Sequence, residues 1–177
     1  MPREAPYRRG PLRPEFAAAV EADAAELCAL HVAVARDHTQ RYGRGHWSYE
    51  PTEKSVTRAI NSSRVVIARL DGAIAGSFEL QTRKPWSIDR AWFTDVPKPL
   101  YLLAMAVSPL MQLQGIGLRM LDEAASIARE WPVQAIRLDA YNADAGAGPF
   151  YAKCGYREAG RATYRGTPLI YYELLIA

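Results

Sequence analysis

Cysteine is nearly missing: of 177 residues only Cys28 and Cys154 carry a thiol, and they lie far apart. That excludes a disulfide framework and a cysteine-based metal motif. Histidine is scarce too, and neither His38 nor His46 is spaced as a metal ligand with any partner, so no metal is expected. No stretch approaches the ~18 uninterrupted apolar residues of a membrane span. The opening MPREAPYRRG lacks the apolar run that follows the basic residues of a secretory signal. A reducing cytoplasm and no membrane partner are therefore the expectation.

Excess charge is also confined. Arg3, Arg8, Arg9 and Arg13 against Glu4 account for the whole net charge of +3, so everything beyond residue 14 is neutral overall. A nucleic-acid binder usually carries its basic face within the folded domain, so no nucleic-acid partner is expected. These arginines stand among prolines and read as a basic, solvated tail over residues 1–14. Residues 15–177 hold no repeat, low-complexity tract or internal boundary and read as one domain. Nearly half the chain is apolar, enough for a core.

What is present has clear periodicity. Residues 16–20 suit a short strand, and Asp23 with Glu26 looks like a capping box for a helix reaching about residue 40. His31 falls on that helix's apolar stripe and reads as a satisfied core histidine. Gly43 and Gly45 end the region, and Pro51 suits the first turn of a second helix. Residues 64–70 and 73–82 form a hairpin about Asp71-Gly72. An irregular, proline- and tryptophan-bearing stretch leads to residues 100–107, an apolar strand of the kind buried on both faces. A helix over 115–130, a strand over 133–140, a short helix around 150–154 and strands near 156–164 and 169–176 complete the chain. The last reads as an exposed strand able to join a second copy, which allows a homodimer.

The segment Gln112-Leu113-Gln114-Gly115-Ile116-Gly117 opens the 115–130 helix. Helix N-termini bind anions through unpaired amides, and glycines let a diphosphate approach the backbone. A P-loop is excluded because no Lys-Ser/Thr pair follows the glycines. A dinucleotide fingerprint matches Gly115 and Gly117, with Asp139 at the distance of a ribose-binding acid. Against it, Met120 replaces the third small residue, and residues 108–114 make too long an approach for the tight turn the fingerprint needs.

Gln112-x-x-Gly115-x-Gly117 resembles the Q/R-x-x-G-x-G/A motif of the GCN5-related N-acetyltransferases, and Phe150-Tyr151-Ala152-Lys153-Cys154-Gly155-Tyr156 resembles a second stretch of that family. The resemblance runs from about residue 16 to the end and is sharpest over 100–156. It implies the family's α/β fold, a mixed, mostly antiparallel central sheet with helices on both faces. It implies acetyl-CoA as co-substrate: backbone of Met105, Ala106 and Val107 pairs with the pantetheine arm like an added strand, and Gln112, Leu113, Gln114, Gly115, Ile116 and Gly117 hold the pyrophosphate. That arrangement requires the 100–107 strand to splay from the 133–140 strand. It further implies Tyr151 as general acid to the departing thiolate. Where the family often has an asparagine, this chain has Asp144, with Asn142 two residues earlier; Asn142 is the more conservative coenzyme contact.

The implied activity is transfer of an acetyl group to an amine of a small molecule or peptide. A non-catalytic acetyl-CoA sensor of the same fold is the alternative, and an NAD(P)-binding protein a more distant one. No carboxylate stands on the 100–107 strand where many relatives carry a base; Glu79, Asp89 and Asp139 are candidates, none favoured. Trp47, Tyr49, Trp86, Trp92, Phe93 and Tyr101 suit either an acceptor slot for an apolar or cationic group or loop-anchoring core.

Overall fold

The computed structural model describes residues 12–177. Most of the basic tail, residues 1–11, lies outside the described residues. Within them Leu12 already packs against the core, so the folded part begins a little before residue 15.

Eleven elements follow the predicted order: β1 (Glu15–Ala18), α1 (Ala24–Tyr42), α2 (Glu53–Ser62), β2 (Arg64–Leu70), β3 (Ala73–Gln81), β4 (Pro99–Val107), α3 (Ile116–Glu130), β5 (Ala135–Tyr141), α4 (Gly148–Lys153), β6 (Arg157–Tyr164) and β7 (Thr167–Leu175). They build one seven-stranded sheet in the order β1-β2-β3-β4-β5-β7-β6. Every neighbouring pair is antiparallel except β4 with β5. Both tight hairpins turn on residue pairs with positive φ, Asp71-Gly72 and Arg165-Gly166, as two-residue turns require.

Alternation along the strands divides the core between two faces. On one, Leu27, Leu30 and Val56 of α1 and α2 cover Val65, Ile67 and Ile74. On the other, Ile116, Met120 and Ala124 of α3 cover Phe78, Leu80, Leu100 and Leu138. The segment between β3 and β4 finishes the first face, where Ile88 and Phe93 seat on Tyr101, Leu169 and Tyr171. No helix among the described residues is long and apolar enough to cross a membrane.

Four expectations are corrected. Asp23 does not cap α1; its carboxylate accepts from the Val20 amide and pairs with Arg69, while Glu26 accepts from the Ile74 amide of β3. Those acids therefore tie the start of α1 to the sheet. Pro51 precedes α2 instead of opening it, and Thr52 caps that helix by accepting from the Ser55 amide. β4 is not buried on both faces throughout, because Ala104 is exposed and left-handed at φ 47°. Finally, β7 is no edge strand: β5 and β6 flank it, and β1 and β6 form the edges. The basis for pairing through residues 169–176 is thereby removed.

One buried ion pair fastens the later half of the sheet. Arg137 on β5 donates to Glu173 on β7 at 3.1 Å, with both side chains almost wholly buried. Arg157 adds a second ion pair, and Thr94 donates from both its hydroxyl and its amide. Burial alone raises the Glu173 carboxyl, but the hydrogen bonds from Thr94, Arg137 and Arg157 outweigh it and hold the group below its ordinary value. The Arg137 guanidinium also lies 4.9 Å from the Phe93 ring centre, which binds the 82–98 segment to the sheet.

Removing one partner strands the other charge. Glu173→Ala is expected to cost about 3–5 kcal/mol in urea unfolding at neutral pH. Because the folded-state pKa is depressed, the wild-type contribution is full above about pH 4.5, the ordinary glutamate value, and is lost as pH falls through the lower folded value. Glu173→Ala should flatten that part of the stability profile.

Candidate active site

β4 starts beside β5 and then leaves it. The two pair in parallel over Pro99–Ala135, Leu100–Ile136 and Tyr101–Arg137, and the ladder stops there. On its other side β4 keeps pairing with β3, but Glu79 opposes Leu103 and Ser77 opposes Ala106, so an extra β4 residue bulges out. The left-handed Ala104 lies inside that bulge. Beyond Tyr101 the β5 side of β4 therefore faces a gap.

A cleft of about 860 Å³ occupies this region. Met105 and Ala106 of β4, Asp139 and Tyr141 of β5, Tyr151 of α4, His31 of α1, and Ser77 and Glu79 of β3 all line it. Strand register puts Ser77, Glu79, Ala106 and Asp139 on the α1 face, whereas Tyr151 packs with the α3 face. The cleft thus reaches groups from both sides of the sheet through the split.

The Tyr151 phenol is buried among the rings of Phe150, Tyr156 and Tyr172. Its O–H donates to the Met105 thioether at 3.7 Å. Burial, and secondarily the charges of Asp139 and Cys154, push this phenol well above its ordinary value, so it stays a donor at neutral pH. Asp139 is raised by burial, opposed by a hydrogen bond from the Ser87 side chain. His31 is half-buried on the cleft wall, with Nε2 at 3.1 Å from Ser77 Oγ, and burial lowers its pKa. It is satisfied by Ser77 as a core histidine would be, yet it faces the cleft; the apolar stripe gave no signal of that.

The 112–117 segment enters α3 as its glycines predict. Gly115 is the N-cap with φ 83°, so no side chain caps the helix and its first amides point outward. A Cβ on Gly117 would meet Phe150 Cζ at 3.0 Å and lie 3.7 Å from Met105. The helix start, β4 and α4 therefore meet around Met105. Leu113 is left-handed and fully exposed, and the Gln112 side chain donates to the Val107 carbonyl at 3.3 Å. Arg119 is exposed, as are Asn142 and Asp144 beyond β5; neither Asn142 nor Asp144 lines the cleft.

The aromatic residues part company. Phe93 and Tyr101 are core, Trp86 is exposed, and the Trp92 ring crowds Gly160. Trp47 and Tyr49 line the cleft, and Trp47 meets Tyr141 edge-on. Next to Trp47, His46 bonds Thr167 at 2.8 Å, which fixes this wall to the β7 end. Of the candidate bases, Glu79 and Asp139 line the cleft, whereas Asp89 accepts from the Ala91 amide outside it. Among the described residues no three His, Cys, Asp or Glu side chains converge as a metal site.

Solved structures share this architecture. A GNAT-family acetyltransferase from Listeria monocytogenes superposes with TM-score 0.71 at 23% identity, over 93% of this chain and 97% of its own. The PaiA N-acetyltransferase of Thermoplasma acidophilum, in complex with coenzyme A, gives 0.70 at 16% identity over 92% and 100%. The yncA protein of Salmonella typhimurium, with its cofactor acetyl-CoA, gives 0.67 at 14% over 93% and 95%. No curated protein matches the sequence. The model of the acetyltransferase (GNAT) family matches residues 27–156. The chain belongs to that family. Its mostly antiparallel sheet also disposes of the dinucleotide reading, which needs a doubly wound parallel one.

The left-handed N-cap is testable by itself. Gly115→Ala is expected to lose about 1–2 kcal/mol, the strain of an L-residue in that conformation, as a shifted midpoint in urea unfolding.

Proposed function

We propose that the protein transfers the acetyl group of acetyl-CoA to an amine of a small molecule or peptide by direct attack, with Tyr151 as general acid. The observation that carries this reading is the β4–β5 gap, which has Tyr151 at one wall and the uncapped start of α3 beside it. Past Tyr101 the β4 backbone has no ladder partner on its β5 side, and an extended pantetheine arm supplies one. Met105, Ala106 and Val107 are assigned to that pairing. The amides of residues 113–117 and the α3 dipole suit a diphosphate, and Gly117 lets the helix start pack against Phe150, 3.0 Å from where a Cβ would stand. Gln112 braces the loop against Val107. Asn142 is assigned a weaker, outer contact with the coenzyme, in keeping with its exposure.

The donor brings an activated thioester; the protein's own groups orient it and manage protons. Tyr151 already donates to one sulfur, Met105 Sδ, and the same orientation serves a thiolate in the gap. Its raised pKa keeps the phenol protonated at neutral pH, so it meets the departing sulfur as a hydrogen-bond donor. Trp47, Tyr49 and Tyr141 wall the acceptor side, with Glu79 and Asp139 able to attract a cation.

An amine panel of polyamines, aminoglycosides, amino acids and peptide N-termini, assayed for released coenzyme A thiol, tests the reading. Wild-type protein should release thiol with at least one amine. Tyr151→Phe should lower kcat by about 10²-fold or more while acetyl-CoA affinity by calorimetry stays unchanged. Binding without any turnover in the wild type would instead mark a sensor.

A further inference from the structure

We propose that His31, acting through the Ser77 hydroxyl, is the proton acceptor for the attacking amine. This deepens the acetyl-transfer reading, rests on it, and fills a role left empty because β4 carries no carboxylate.

Three observations converge. Ser77 is almost fully buried and pairs in register with Ala106, one residue beyond the Met105 that Tyr151 touches. His31 Nε2 lies 3.1 Å from Ser77 Oγ, and both residues line the cleft. Ser77 belongs to the α1 face, whereas Tyr151 belongs to the α3 face. A thioester held in the gap between β4 and β5 thus has a proton acceptor on one side of the sheet and a proton donor on the other. That arrangement suits attack from one side and departure toward the other.

The step balances. The amine enters as its ammonium ion, and one N–H proton passes to Ser77 Oγ as the Ser77 proton passes to His31 Nε2. The freed lone pair forms the C–N bond, the C–S bond breaks, and sulfur leaves with the electron pair and takes the Tyr151 proton. The second proton lost by nitrogen restores the phenol, and the imidazolium proton leaves to solvent along the cleft. The relay uses the tautomer with the proton on Nδ1, leaving Nε2 as acceptor.

Other titratable groups face the same space: His38 from α1, His46 and Tyr49 before α2, Glu79 from β3, Asp139 and Tyr141 from β5, Tyr151 from α4, Tyr164 from β6 and Arg165 from the β6–β7 turn. Asp139 is engaged by Ser87, and burial raises its pKa. Glu79 pairs with Leu103, on the far side of the bulge from Ala106. Burial keeps the His31 imidazole neutral below the pH at which an ordinary histidine charges, so it is competent throughout the neutral range.

The test measures kcat, kcat/KM and acetyl-CoA affinity against pH in full-length His31→Gln, Ser77→Ala and Glu79→Gln, using an amine from the panel. Wild type should show an acid limb with an apparent pKa below the ordinary histidine value. His31→Gln should lower kcat by about 10²-fold and abolish that limb, with acetyl-CoA affinity unchanged. Ser77→Ala should lower kcat by about tenfold and leave affinity intact. Wild-type kcat and acid limb in His31→Gln, or loss of the limb in Glu79→Gln instead, would overturn the inference. Should His31→Gln fail to fold, Ser77→Ala decides: an unchanged rate and limb sinks the relay. A wild type that acetylates no amine overturns the acetyl-transfer reading itself, and this inference with it.

Discussion

The site depends on two parallel strands that begin together and then separate. β4 and β5 share three ladder positions, after which the extra residue at Ala104 bends β4 away while it stays bonded to β3. A sheet interior normally leaves no backbone group without a partner, because an orphaned buried amide or carbonyl costs as much as a lost hydrogen bond. The sheet tolerates the opening because strongly paired neighbours hold it on both sides. The β2–β3 hairpin grips β4, and β7 with its buried glutamate grips β5.

From that split follows a division of labour. The α3 side meets the gap with a helix start, a buried phenol and the Met105 thioether. The α1 side meets it with a histidine, a serine and two carboxylates beneath an aromatic wall. On the proposed reading, the donor is held largely by main chain and the acceptor largely by side chains. Main-chain recognition asks little of residue identity.

Local features made much of the fold legible. The order of elements followed from hydrophobic period, the Asp71-Gly72 turn and proline stops, and the 112–117 and 150–156 motifs led to the loop and the tyrosine beside the gap. Long-range features stayed hidden. Asp23 and Glu26 have the spacing of a cap, yet Arg69 and the Ile74 amide compete for them across the sheet. A strand late in the chain looked like an edge because nothing in its own residues states which strand lies beyond it. His31 matched the apolar stripe, and it takes the folded cleft, which His31 and Ser77 line together, to reveal that the stripe borders a cavity. Ala104 is chemically identical to Ala106 two residues on, yet it is the one that bends β4.

The placement of β7 has a consequence for how the chain is made. β1 to β4 build outward by antiparallel neighbours, so much of that half can assemble as it leaves the ribosome. β5 cannot be completed in the same way, since Arg137 meets its carboxylate only when a residue 36 positions later arrives. Until then a guanidinium destined for the interior stays hydrated, and β5 offers an open edge to any strand nearby. The interval between synthesis of β5 and synthesis of β7 is thus the nascent chain's vulnerable period, and its length is set by topology and not by the strength of any single contact.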